Sequence, residues 1–211
     1  MLAVLTGWLL GLALGMRHAL EPDHVAAVSS MIADHRGTRG GLLLGAAWGA
    51  GHALMIVAVG GALLLSGAHM PERLADLFEL AVAAMLVFLG ARGLHRAARG
   101  EALHLAKHSR WHLTRRPLAA GLVHGLAGSG AVTALVIARL PGWTEGVVFL
   151  ALFGIGAAMG MALLTGAASA TLGRLVRREG ALAALTGVTG AISLAIGAGW
   201  AWPVVQRLLA A

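Results

Sequence analysis

The chain has 211 residues, of which 58% are hydrophobic and 12% charged. A soluble domain carries about 25% charged residues, so this composition excludes an ordinary water-soluble fold and points to a bilayer. With no cysteine, disulfides, thiolate metal sites and thiol relays are excluded as well.

The net charge is +7, and the pI is near 11.7. The basic residues sit between long hydrophobic runs. That placement reads as orientation in a membrane, not as a nucleic-acid surface.

A helix needs about 20 apolar residues to cross the hydrocarbon core. Six runs are long enough, near 3–32, 41–65, 77–95, 117–139, 146–171 and 181–203. The predicted fold is an all-α polytopic membrane protein with six transmembrane helices in a single membrane domain, residues 1–211.

The first run has no basic residue ahead of it, so it reads as a retained span and not as a cleaved signal. It is too long for one straight crossing. Pro22 lies inside it, and a proline removes a helical donor and clashes one turn back, so a kink or break is expected there. The same run reads GMRHALEPDH over residues 15–24, which puts His18, Asp23 and His24 in apolar surroundings. Ionisable groups are costly in a membrane and mark sites and pathways. Two imidazoles and a carboxylate suit Ni²⁺, Co²⁺, Zn²⁺ or Mn²⁺.

On a straight helix His18 and His24 would lie about 120° apart and about 9 Å along the axis. Meeting at one ion therefore requires the break. Because Pro22 cannot donate to the carbonyl of His18, that carbonyl is expected to be free as a further ligand. Arg17 and Glu21, four residues apart, read as a mutually neutralising pair.

His52 lies mid-span in the second run, within WGAGHAL, and His124 in the fourth, within GLVHGLAGSG. His18, Asp23, His24, His52 and His124 together could enclose an ion. Ser129 and Thr133, one turn beyond His124, could orient the imidazoles. Glu79 opens the third run and reads as interfacial. Met16, Met159 and Met161 read as packing. In the polar stretch 95–116, His104, His108 and His112 share one helical face, which suits a basic interfacial helix or a low-affinity metal acceptor.

The connections at 34–40, 92–116 and 174–180 carry twelve lysines and arginines, against Arg73, Arg139 and Arg207 on the other side. The basic side is expected to be cytoplasmic, which leaves both termini outside. An internal repeat is also visible. Residues 15–24 match 121–130, Trp48–Gly51 match Phe153–Gly156 at an offset of 105, and Gly90-Ala91 match Gly197-Ala198 at 107. Repeat one covers about 1–95, a cytoplasmic loop about 96–116, and repeat two about 117–211. Three spans per unit imply two inverted three-helix repeats. In secondary transporters of that design the site lies between the repeats and one repeat rocks against the other.

The spacing from His18 to Asp23-His24, within GMRHALEPDHVAAV, resembles the signature of the nickel/cobalt transporter family. It is most similar to the short urease accessory protein H-type permeases. Gly51-His52, GLVHGLAGSG and FGIGAAMGMALLT at 153–165 also fit. Longer members usually have Asp-Ala where this chain has Glu21-Pro22, and small hydroxyl residues where it has Ala53 and Leu54. The resemblance implies uptake of Ni²⁺ or Co²⁺ across the cytoplasmic (inner) membrane, with His18, Asp23 and His24 as essential residues and His52 contributing.

The ion is then cargo, and no prosthetic group is expected. Efflux of the same metals is the alternative, and an intramembrane metalloenzyme a more distant one that lacks any HExxH spacing. Protonation of Asp23 would weaken metal binding and so could couple transport to protons. A homo-oligomer and a cytosolic metal acceptor stay open as partners.

Overall fold

The computed structural model describes residues 2–32, 37–99, 110–140, 142–175 and 179–210, and every regular element among them is helical. The first apolar run forms two helices, α1 (Leu2–His18) and α2 (Pro22–Ile32). Pro22 is the first residue of α2, where its missing N–H would have had no helical partner and its fixed φ suits the turn. At the end of α1 the Leu20 N–H donates to the Arg17 carbonyl (2.9 Å) and the Glu21 N–H to the His18 carbonyl (3.0 Å). The His18 carbonyl is therefore not bare, contrary to expectation. The chain tightens into short turns, a common way to satisfy the last carbonyls of a helix.

Helix α3 (Thr38–Met55) passes through one wider π turn at Ile56–Gly60 into α4 (Gly61–Ser66). Such turns occur often beside functional positions, and this one begins a turn after His52. Helix α4 stops where Gly67 takes the left-handed conformation at φ 63°. Gly67 and Ala68 then donate to the Leu64 and Leu63 carbonyls, a stop that favours glycine. The remaining helices are α5 (Glu72–Ala98), α6 (Arg110–Arg139), α7 (Trp143–Leu175) and α8 (Glu179–Ala210).

Among the described residues, five stretches are long and apolar enough to cross a membrane: Thr38–Ser66, Glu72–Ala98, Thr114–Val136, Trp143–Leu172 and Ala183–Ala210. The expected first span is instead the α1–α2 pair, and its pieces of 17 and 11 residues are each shorter than a full crossing. Leu9, Phe88, Leu163 and Trp202 face outward, a surface suited to acyl chains and unsuited to water. Met161 is buried in the core, whereas Met16 and Met159 lie on the outside. His104 and His108 fall outside the described residues, as does the side chain of His112.

The helices form two groups. In the first, α1 packs on α7, and α3 lies between α6 and α7. In the second, α5 and α8 pair along their lengths, joined to the first group mainly through α2 and α6. Glycines permit the close approaches. A Cβ on Gly15 would strike the carbonyl oxygen of Phe153, and one on Gly121 would strike that of Trp48. Gly156 meets the Leu12 carbonyl and Gly51 the Leu118 carbonyl in the same way. In the outer pair, Gly90 faces the Gly190 carbonyl and Gly197 the Ala83 carbonyl.

Two buried apolar clusters close the interior. One gathers Ala27, Val28, Ile32, Trp48, Leu86 and Met161, and the other Ile56, Val136, Phe149, Leu150 and Phe153.

Candidate metal centre

The break before Pro22 turns α2 away from α1, so His18 and the Asp23-His24 pair no longer follow one helical spiral. His18 meets His52 of α3, with the two Nε2 atoms 3.2 Å apart. Two nitrogens bound to one ion at about 2.0–2.1 Å are separated by about 2.9–3.4 Å, depending on the coordination angle. The observed spacing is that of a ligand edge.

Asp23 serves two histidines. The Nδ1–H of His24 donates to its Oδ1 (3.0 Å), and the Nε2–H of His124 on α6 donates to its Oδ2 (2.6 Å). The carboxylate thereby fixes both ring tautomers, because each proton must lie on the nitrogen that faces it. His24 Nε2, His52 Nδ1 and His124 Nδ1 are buried with no partner. Unsatisfied buried polar atoms are uncommon and call for an explanation; among the described residues His24 Nε2 is open to an ion, and the Nδ1 atoms of His52 and His124 are positions to which their rings can move a proton.

The five expected residues are thus brought together, and the imidazoles of His18, His24, His52 and His124 form one cluster. Ring centroids are 4.5 Å apart for His18 and His24, 5.1 Å for His24 and His52, and 4.2 Å for His24 and His124. Asp23, His24, His52 and His124 are buried, and His18 is half-buried.

Ser129 and Thr133 are buried nearby but do not touch the imidazoles through hydrogen bonds among the described residues. The Ser129 hydroxyl donates to the Leu126 carbonyl (2.7 Å) and that of Thr133 to the Ser129 carbonyl (2.6 Å). Both are spent on the backbone of α6, the usual use of a hydroxyl inside a helix.

Glu21 corrects a second expectation. Its carboxylate lies 2.8 Å from His18 Nδ1, so its partner is His18 and not Arg17. The short turn that ends α1 brings residues 18 and 21 onto one side. A carboxylate on Nδ1 leaves Nε2 as the nitrogen free to bind, the usual arrangement behind a metal-bound histidine. The i, i+3 spacing was the sequence signal for it. Trp48 and Phe153 were not singled out either. The Trp48 ring lies 5.5 Å from His24 and 5.7 Å from His124, and the Phe153 ring 5.3 Å from His18. Trp48 precedes His52 by one helical turn, and Phe153 is its counterpart in the repeat.

A cavity of about 570 Å³ reaches this cluster. Its floor is His18, Asp23, His24, His52 and His124, and its walls include Leu14, Val132 and Phe153 from the first helix group and Val82, Trp200 and Val204 from the second. Glu79 and Arg207 also line it. Near them Arg207 donates to Asp76 (2.6 and 2.9 Å) and to Glu79 (3.0 Å). Trp48 lies behind the histidines, outside the cavity lining.

Comparison with known proteins follows the same lines. The chain is 32% identical over 178 residues to the urease accessory protein UreH of Bacillus sp. (strain TB-90), across 78% of this chain and 75% of UreH. This chain belongs to the UreH family. No family model and no solved structure matches it. The motif carried by His18, Asp23 and His24 spans the break between α1 and α2 and lines the cavity.

Proposed function

We propose that this protein carries a divalent transition-metal ion, Ni²⁺ or Co²⁺, across the cytoplasmic membrane and into the cell. One observation carries the reading: four imidazoles and one carboxylate converge at the buried end of a cavity between apolar-surfaced helices. Neutral nitrogen ligands with a single carboxylate suit a borderline divalent ion better than a hard one. Kinship with UreH supports a nickel- or cobalt-related task.

The reading takes the chain as six crossings, with α1 and α2 together making the first, arranged as two inverted repeats. The glycine contacts support this. Gly15 against Phe153 and Gly121 against Trp48 are the same contact in the two halves, as are Gly156 against Leu12 and Gly51 against Leu118. Such correspondence is expected of two units related by a two-fold axis in the membrane plane.

Glu79, near the start of α5, and Arg207, near the end of α8, are exposed members of the cavity lining. By the lysine and arginine bias their end is the outer side. The opposite end is filled by Trp48 and its apolar cluster. This shape suits a state that receives ions from outside.

The two repeats interlock, since α1 packs on α7 and α3 on α6. Rocking of one whole repeat against the other would tear those contacts. We place the moving boundary between the α5–α8 pair and the other helices, along the cavity. Closing the Glu79 end of the pair onto the other helices and parting Val82 and Leu86 from the Trp48 cluster would release the ion inward.

The test is radiolabelled Ni²⁺ and Co²⁺ accumulation in cells expressing wild type, His18→Ala or His24→Ala. Accumulation above background for wild type alone supports uptake. Accumulation below background assigns export, and equal values for all three proteins refute the site.

A further inference from the structure

The five ligands do not meet at one point. Ligand atoms of His18, His24 and His52 lie within 4.8 Å of one another, and so do those of Asp23, His24 and His124. His24 belongs to both sets. We infer that the centre holds two overlapping ion positions that share His24, and that an ion passes from one to the other during transport. The inference rests on the metal-transport reading above and specifies the path within it.

The outer position asks for one proton shift only, on His52. Glu21 holds His18 Nδ1, and Asp23 holds His24 Nδ1–H. His18 Nε2 therefore accepts from His52 Nε2–H (3.2 Å), and an ion entering there moves that proton to the unpartnered His52 Nδ1, while His24 Nε2 is already unpartnered. This set contains the half-buried His18, while all members of the other set are buried. Of the two, the outer position is the one an ion reaches first.

The inner position uses atoms that are now hydrogen-bonded to one another. The Asp23 carboxylate, His24 Nδ1 and His124 Nε2 would have to exchange those hydrogen bonds for metal bonds. An ion arriving there displaces the proton on His24 Nδ1, and the ring takes one up on Nε2, which the departing ion has left bare. His124 likewise moves its proton from Nε2 to the unpartnered Nδ1. A neutral imidazole has one N–H and one lone pair, so His24 serves one position at a time. The centre then holds one ion per chain, at the outer position at rest, and His124 is needed for passage rather than for first binding.

The experiment compares His52→Ala with His124→Gln in purified full-length protein. The glutamine amide can still donate to Asp23 while removing the imidazole. Equilibrium binding is read from the visible absorption of Co²⁺ on titration, and passage from Co²⁺ uptake into proteoliposomes holding a metal-sensitive dye. We expect wild type to bind one Co²⁺. His52→Ala should weaken binding at least tenfold. His124→Gln should bind within about threefold of wild type with an unchanged spectrum, yet transport at least tenfold more slowly.

Equal weakening by the two variants would make the five residues one cage and overturn the inference. So would His124→Gln transporting at the wild-type rate, or binding two ions in wild type. Absence of any Co²⁺ spectrum in wild type would instead sink the metal reading itself.

Discussion

Asp23 and His124 lie 2.6 Å apart across 101 residues of chain, and this contact ties the first half of the protein to the second at the buried end of the cavity. Because the same carboxylate also holds His24, one side chain fixes two imidazoles from separate helices. The hydrogen bonds are charge-assisted, and each is worth about 1.5–3 kcal/mol where water is excluded.

Asp23→Asn keeps the shape but removes the charge and turns one acceptor into a donor. Metal uptake should fall at least tenfold, and Co²⁺ affinity of the purified protein should fall with it. Wild-type affinity and uptake in this variant would remove Asp23 from the centre.

Glu21 acts through His18. Glu21→Ala should weaken metal binding by about 10–100-fold, the usual effect of losing the partner behind a metal-bound histidine. Glu21→Gln retains an oxygen that can accept from His18 Nδ1 and should recover most of that loss. If the alanine and glutamine variants bind alike, the contact has no such role.

Acidification should slow uptake. Imidazole and carboxylate bind metal only when unprotonated, so protons compete with the ion and affinity falls as the pH drops. Initial uptake rates at fixed free metal should decrease steadily from neutral to acid pH. A rate that is flat or rises over that range contradicts a histidine-based centre.

Gly121 lies against the Trp48 backbone, whereas Gly61 has open space beside it. Gly121→Ala should lower stability by about 1–3 kcal/mol, the range for overpacking a close contact. Gly61→Ala should be neutral or stabilising, because alanine is the better helix former. Thermal melting of the detergent-solubilised variants checks both, and equal melting temperatures would deny the close approach.

Arg207 is exposed, lines the cavity with Glu79, and pairs with Asp76 and Glu79. Exposed ion pairs contribute about 0–1 kcal/mol, so Arg207→Ala should fold normally. It leaves two carboxylates uncompensated, which attract cations. Uptake at low metal concentration should rise in low salt, and the gain should vanish as ionic strength increases. A gain that is insensitive to salt would rule out this electrostatic origin.

The amino-acid sequence by itself determined the helical class, most of the runs able to cross a membrane, the break at Pro22 and the five polar residues that gather at the cavity. Those follow from local rules: the length of an apolar run, a missing N–H, and the cost of an ionisable group in lipid. Only the tertiary structure decided how those five residues group. His24 is shared between two sets, Glu21 turns to His18 instead of Arg17, and Ser129 and Thr133 bond their own helix. It also decided that α5 and α8 pair apart from the other helices, which places the cavity between two helix groups, each drawn from both halves of the chain. Such choices depend on which side chains the packing brings within bonding distance, and residue spacing along one helix carries no information about its neighbours.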